Sequence, residues 1–201
     1  MTEVDQVVSA WSRIVRWLGL NAPESARSLN PPATDQEIRQ LNEALGSSLP
    51  ESLEVWLRLN NGSTAKDVTK PIPGGGIQKI RNVDSVIFPD GLVFLGSEEI
   101  ASEYHEYLHI ARQMNSEDWW STEWVPFAAR YEEHDGWIIN TADMNVLRYS
   151  DSDYPTLRSS TLSELLTVIA DTIEEGHAPP MSFLGGRVVT VERGRIEWPI
   201  P

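Results

Sequence analysis

The chain has 201 residues, enough for one substantial hydrophobic core but short for two, so we expect a single domain over residues 1–201. It has no cysteine and no apolar run near the roughly 18 residues of a membrane span, which excludes disulfides, cysteine-bound metals and a transmembrane helix. A formal net charge of −14 opposes direct contact with nucleic acid or an anionic membrane and favours a basic partner. The acidic N-terminus is unlike a secretory signal, so a soluble cytoplasmic protein is expected.

The chain begins with a predicted amphipathic helix. Apolar residues between positions 4 and 18 recur at steps of three and four, and Gly19 is expected to end the helix. The next stretch, residues 21–34 ("NAPESARSLNPPAT"), is rich in proline, serine and asparagine and indicates a loop.

Two further helices are predicted directly after this loop. Thr34 and Glu37 form a capping-box pattern for the first of them, and Gly46 should end it. Ser48 is expected to cap the next helix, which the Asn61-Gly62 pair should end because both residues tolerate a positive φ.

A glycine triplet at residues 74–76 predicts a flexible turn. A phosphate-binding loop would continue with Gly-Lys-Ser/Thr into a helix, whereas these glycines are followed by "IQKI". The next segment, "SVIFPDGLVFLG", indicates extended chain on either side of a turn at residues 89–91.

A fourth helix, predicted to be capped by Ser97, contains "HEYLH", a match to the zinc-peptidase pattern H-E-x-x-H with Glu106 in the position of the general base. At about 100° per residue, one face of this helix should be buried. Its members are Ile100, Tyr104, Tyr107, Leu108, Ala111 and Met114. His105 and His109 fall on the opposite side, towards water, and no third zinc ligand follows at the expected spacing. A zinc hydrolase is therefore a remote alternative, and we expect no cofactor, no metal and no catalytic residue.

Strand-like runs dominate the next part of the chain. They are "EWVPFA", "GWIIN" and "NVLRYS", and His134-Asp135-Gly136 is expected to form a turn before the second run. A fifth helix is predicted from Thr161, capped with Glu164, to Gly176, and the tail indicates a hairpin turning at Arg193-Gly194. The class is α+β, with N-terminal helices and later helices packed on a mixed, mainly antiparallel β-sheet.

Several stretches resemble the SUKH superfamily. The first is the block "PPATDQEIRQLNEALGSSLPESLEVWLRLNNG". Its matching positions are Pro32, Ile38, Leu45-Gly46, Leu49-Pro50, Leu53, Leu57 and Asn61-Gly62. Residues 124–127 are similar to the W-x-P-[IF]-A strand of that family. The resemblance covers about residues 5–176 and leaves 177–201 as a C-terminal hairpin extension. Where the family often has an aspartate after a strand, this chain has Asn140, which serves a turn equally well.

The resemblance implies a non-enzymatic protein-binding module. Bacterial members are largely immunity proteins that neutralise toxins, many of them nucleases or deaminases, and fungal members regulate cell-wall synthesis. An immunity protein against a basic toxin domain is the leading hypothesis, because an acidic inhibitor suits the basic cleft of a nuclease. A regulatory scaffold of the cell-wall type is the alternative.

The charge distribution points to the part of the chain that would touch a partner. Residues 98–135 hold ten acids and two bases, whereas residues 1–97 hold eleven and nine. This segment is either a solvated face that aids solubility or a docking surface, and its tryptophans are either core residues or interface anchors. The candidate protein-binding residues are Glu98, Glu99, Glu103, Glu106, Glu117, Asp118, Trp119, Trp120, Glu123, Glu132, Glu133 and Asp135.

Overall fold

The computed structural model of the protein describes residues 1–63, 68–80, 83–114, 119–130, 135–150 and 155–201. The α-helices in these ranges are α1 (Glu3–Asn21), α2 (Pro23–Arg27), α3 (Asp35–Leu45), α4 (Glu51–Leu59), α5 (Ser97–Gln113) and α6 (Leu162–Glu175). The strands are β1 (Val68–Pro71), β2 (Ile77–Ile80), β3 (Val93–Phe94), β4 (Trp124–Ala129), β5 (Asp135–Asn140), β6 (Val146–Ser150), β7 (Thr156–Ser159), β8 (Thr190–Glu192) and β9 (Arg195–Glu197). Single-turn 3-10 helices lie at Val83–Ser85 and Pro89–Gly91.

The first helix runs beyond its predicted end. Gly19 has no positive φ and lies inside α1, which continues to Asn21. The predicted loop contains the short helix α2, which begins at Pro23, a residue whose fixed φ suits the first turn of a helix. Both predictions were therefore wrong. The apolar repeat ends at position 18, and composition alone did not show that the residues after it also form helix.

The ends of α3 agree with the sequence, whereas the start of α4 does not. Thr34 and Glu37 form the predicted capping box, and Gly46 ends the helix with a φ of 69°. Ser48 does not cap α4, since that helix begins after Pro50 and has no side-chain cap. The Leu49 N–H is instead bound by the side chain of Asn42, at 2.8 Å.

The central sheet is an antiparallel meander in the order β3-β4-β5-β6-β7. The antiparallel pairing that was expected to dominate accounts for every neighbouring pair of described strands. The three strand-like runs form β4, β5 and β6, and β7 was not predicted. Two separate hairpins are β1–β2, around the glycine triplet, and β8–β9, around Arg193-Gly194. The second hairpin was predicted, whereas only a turn was predicted at the glycine triplet.

Asp135 and Gly136 do not form the predicted turn. Both belong to β5, where Asp135 lies opposite Ser150 and Gly136 opposite Tyr149. A side chain at Gly136 would come within 2.9 Å of the Tyr149 ring, so the glycine serves close packing rather than a turn. Asn140 ends the strand, and its side-chain oxygen accepts the N–H of Ala142 at 3.1 Å, as expected of a turn residue.

One face of the sheet carries the main core. Residues from α1, α3, α4, α6 and the sheet form one buried cluster, and Trp56 stacks on Phe94 with ring centroids 3.9 Å apart. Trp11, Trp56 and Trp137 are buried there. The C-terminal segment belongs to this core as well, since Ile196 and Trp198 are part of the same cluster.

The other face of the sheet carries a smaller group, here called the second cluster. Its buried members are Tyr107, Ala111, Trp120, Ile138 and Tyr149. The alternation of side chains along β5 separates the two groups, because Trp137 and Ile139 belong to the main core and Ile138 to the second cluster. The structure therefore confirms a single α+β domain with a sheet between two unequal layers.

Candidate protein-binding site

Helix α5 positions most of the candidate residues, and tertiary contacts fix its start. Gly96, not Ser97, is the N-cap, and its N–H is bound by the Glu99 carboxylate at 2.7 Å. The Ser97 N–H is bound by the side chain of Asn61, also at 2.7 Å. Two chain segments cross closely here, at Gly62 and Gly96. A side chain at Gly62 would lie 2.4 Å from the Gly96 nitrogen, so the crossing requires a glycine. The predicted Ser97 cap was wrong, since the capping groups come from Glu99 and from a distant loop.

The two faces of α5 are largely as predicted. Four of the predicted face residues, Ile100, Tyr104, Tyr107 and Ala111, are buried. Met114 is 58% exposed, because the helix ends at Gln113.

The two histidines of "HEYLH" are exposed. His109 contacts the Gln113 amide at 2.8 Å. Within the described ranges, no three His, Asp or Glu side chains are grouped so that they could hold a metal ion.

Three of the acids on α5 form what we call the acidic stripe: Glu99, Glu103 and Glu106. Their spacing of four and three residues places them on one side of the helix. Glu106 is exposed, whereas Glu99 caps the helix and Glu103 interacts with the hydroxyl of Tyr107. Glu98 is exposed on the neighbouring side of the helix.

The segment 119–123 is attached directly to α5. The Tyr104 hydroxyl donates to the Thr122 carbonyl at 2.9 Å, and the Tyr107 ring stacks on Trp120 at 4.3 Å. Glu123, which is exposed, follows directly after the residue whose carbonyl Tyr104 binds. The sequence alone does not reveal Tyr104 and Tyr107 as linking residues, because their partners lie in an irregular segment without periodicity.

The two adjacent tryptophans have different environments. Trp120 is 4% exposed and lies between Tyr107, Trp124 and Tyr149. Trp119 is half-buried, with its ring 6.0 Å from that of Tyr107. Of the pair, Trp119 can therefore present its ring to a partner, whereas Trp120 is a packing residue.

A buried pair of tyrosines lies beneath α5 and the segment 119–123. The hydroxyls of Tyr107 and Tyr149 are 2.9 Å apart in the buried second cluster. Burial raises the pKa of both phenols well above the ordinary value, and the negative charge of Glu103 acts in the same direction. Both tyrosines are therefore neutral at physiological pH, and their hydroxyls form a fixed polar link under the acidic stripe.

The remaining candidates are four acids outside the described residues and one buried acid. Glu117, Asp118, Glu132 and Glu133 lie outside the described residues. Asp135 is only 7% exposed, and both its carboxylate oxygens accept bonds from Arg148, at 2.9 and 2.7 Å. Its charge is thus directed into the protein rather than towards a partner.

A cavity of about 420 Å³ opens beside the first turn of α5. It is lined by Pro31, Pro32, Glu37, Asn61, Glu98 and Glu99, among others. Asn61 joins the two helices here, since its amide contacts Glu37 at 3.2 Å and the Ser97 hydroxyl at 3.1 Å. Hydrogen bonds from the Thr34 backbone and hydroxyl lower the pKa of Glu37, so the Glu37 carboxylate stays negatively charged at the edge of the cavity.

These features make up a candidate protein-binding surface on an α+β domain, with acidic residues on one helix and an accessible aromatic side chain nearby in the chain. The SMI1/KNR4 family model (SUKH-1) matches residues 32–168, which is more than half of the chain, and the protein belongs to this family. Membership supports a non-catalytic module of the immunity or regulator type. No curated protein matches the chain. None of the helices in the described ranges is both long and apolar enough to cross a membrane.

Proposed function

We propose that the protein is a cytoplasmic immunity protein that binds a basic, nuclease- or deaminase-like toxin domain and blocks its active site. One observation carries the proposal. Glu98, Glu106 and Glu123 are exposed and form no ion pair with the described residues, and the half-buried ring of Trp119 lies 6.0 Å from the ring of Tyr107 on the helix that carries two of these acids.

Charge and aromatic surface have separate roles in this proposal. Uncompensated carboxylates attract a basic domain over distances of about 10 Å at ordinary salt, which accelerates association. The accessible ring of Trp119 supplies apolar area to hold the complex once it is formed. A toxin that cleaves or modifies nucleic acid needs a basic cleft, and an acidic surface can occupy that cleft in place of the substrate.

The family also supports a regulator, which would use its surface differently. A regulator is expected to bind several partners weakly, whereas an immunity protein binds one partner tightly and one-to-one. Affinity capture from the host at low and moderate salt, with the retained proteins identified by mass spectrometry, separates the two. One dominant basic partner that is lost as salt rises supports the immunity proposal, and several weak partners favour the regulator.

The decisive experiment uses charge reversal against the captured partner. The double variant Glu106→Lys/Glu123→Lys changes the proposed surface, and Glu175→Lys is the control, since Glu175 is an exposed acid on α6 without an ion pair to the described residues. We expect the double variant to associate about tenfold more slowly in low salt, and the control to stay within about twofold. Equal rates for both variants would contradict the proposed surface.

A growth assay then tests the function itself. The wild-type protein should protect cells that express the captured toxin domain, and the double variant should protect them less at the same expression level. Binding without protection would exclude an immunity role, even if the surface is correct.

A further inference from the structure

The cavity beside the first turn of α5 has the size of a ligand pocket. Its volume is about 420 Å³, and ligand pockets in proteins generally measure about 300–1,000 Å³, with apolar walls and a few polar groups. The described lining includes two exposed prolines and three carboxylates: Pro31, Pro32, Glu37, Glu98 and Glu99. None of the described residues that line the cavity is basic.

The charge at this cavity favours a cation. Helices α3 and α5 both begin here, and a free helix N-terminus would favour an anion, but the chain supplies those anions itself. The Thr34 backbone N–H and hydroxyl donate to Glu37, both at 2.7 Å, and the Gly96 N–H donates to Glu99. The two helix ends together carry about one positive charge, which Glu37 and Glu98 alone outweigh. Phosphate and other anions are therefore disfavoured in the cavity.

Two of these carboxylates, on two different helices, have capacity left for a cation. A carboxylate offers about four positions for hydrogen-bond donors. Glu37 accepts three hydrogen bonds, two from Thr34 and one from Asn61, and it is charged because those from Thr34 lower its pKa. Glu98 is exposed and forms no ion pair with the described residues. A ligand with several donors can therefore bind both side chains at once.

The two helix ends that border the cavity are held in a fixed relation. The Asn61 amide group contacts Glu37 at 3.2 Å on α3, and its side-chain oxygen accepts the Ser97 N–H at 2.7 Å on α5. The close crossing of Gly62 and Gly96 fixes the same junction through the backbone. The cavity is therefore formed before a ligand arrives, which lowers the entropy cost of binding.

We propose that this cavity binds an arginine side chain of the partner between Glu37 and Glu98. A guanidinium presents five N–H donors in a planar fork and can bind two carboxylates together, whereas an ammonium group is a compact point charge. The aliphatic part of the arginine lies against Pro31 and Pro32. Glu99 belongs to both the cavity and the acidic stripe, so the cavity extends the proposed surface. The source of the arginine, a basic toxin domain, rests on the proposed function.

Nuclear magnetic resonance titration of the full chain tests the cavity with Nα-acetyl-arginine amide as the probe, at constant ionic strength. The citrulline analogue has the same shape without the charge, and the lysine analogue is a second cation. We expect saturable shifts of the backbone N–H signals of Asn61, Gly96 and Ser97 with the arginine probe. The lysine analogue should bind at least about threefold more weakly, and the citrulline analogue should not saturate. No saturation with arginine, saturation with citrulline, or equal affinity for lysine would overturn the proposal.

Two matched variants complete the experiment. Glu98→Gln removes one carboxylate without removing a helix cap, and it should weaken binding of the arginine probe about three- to fivefold, as expected for an exposed ion pair. Glu175→Gln removes an exposed acid from α6 and should leave the titration unchanged. Equal affinities in the two variants would contradict the assigned site.

The probe titration separates this inference from the proposed function, because it needs no toxin. If the arginine probe binds and affinity capture yields no dominant basic partner, the cavity site stands and the immunity proposal fails. If a basic partner is captured and the probe does not bind, the immunity proposal stands and the cavity site fails.

Discussion

The two faces of the central sheet use similar residues for different purposes. On one face, the aromatic rings of the main core are sealed between the sheet and the helices α1, α4 and α6, and Trp56 and Phe94 are fully buried. On the other face, the second cluster lies under the C-terminal half of α5 and the segment 119–123. Trp119 remains half-buried at its margin.

The difference shows what makes an aromatic group available for binding. Rings on the main-core face contact other rings on several sides, so they contribute to stability alone. The second cluster is covered by α5 and the segment 119–123, and one flank of α5 carries the acidic stripe. A partner that binds the stripe therefore also meets the margin of an aromatic cluster, which combines electrostatic attraction with apolar contact.

The largest expected effect comes from truncation of the main core. Trp56→Ala should lower the free energy of unfolding by about 3–5 kcal/mol, because it leaves a cavity against Phe94. Trp119→Ala should lower it by only about 1 kcal/mol or less, since that ring is already partly in water. Urea denaturation of both variants measures the difference. Equal losses would mean that the second cluster is sealed as tightly as the main core, which would remove Trp119 as a contact residue.

A smaller effect is expected from the ion pair between β5 and β6. Asp135→Asn leaves Arg148 without its two-bond partner and should lower the free energy of unfolding by about 2–3 kcal/mol, as for other poorly exposed pairs that lose one member. Asp171→Asn is the control, because Asp171 pairs with Arg13 at the surface and its loss should change the free energy by less than about 1 kcal/mol. If Asp135→Asn were as mild as the control, the charge of Asp135 would be free to serve a partner after all.

The features predicted correctly from the sequence are those that neighbouring residues determine. The Thr34–Glu37 capping box and the positive-φ Gly46 need only neighbouring residues, and both are present. The exposure of His105 and His109 followed from the helical repeat alone. Alternation and apolar runs likewise located β4, β5 and β6.

The predictions that failed depended on distant partners. The start of α5 is set by Asn61 and by the crossing of Gly62 over Gly96, contacts that no short window of sequence contains. Asp135 was assigned to a turn, whereas it begins β5 and is bound by Arg148 on the next strand. The residues next to Asp135 in the sequence do not reveal that contact. The contrast between Trp119 and Trp120 was also not predictable, since neither residue lies in a helix or strand with a repeating pattern.

The smallest expected effect concerns the tyrosine pair of the second cluster. The folded-state pKa values of Tyr107 and Tyr149 are raised above the ordinary value of 10.0, because burial disfavours the charged phenolate. A raised pKa contributes stability that is fully present below the unfolded pKa and is lost as the pH rises above it. Between pH 8 and pH 10.5, the pair should therefore cost the folded state about 1–2 kcal/mol.

The double variant Tyr107→Phe/Tyr149→Phe isolates this contribution. It removes both hydroxyls together, so neither phenol is left without the other and only Glu103 loses a contact, and its stability at pH 8 should fall by about 1–2 kcal/mol. Urea midpoints at pH 8 and pH 10.5 should then differ less for the variant than for the wild type. An equal alkaline decrease in both proteins would show that other groups cause it and that the hydroxyl pair is open to water. In that case the second cluster would be far more exposed than the main core, and the residues that pack beneath the acidic stripe would be loosely packed.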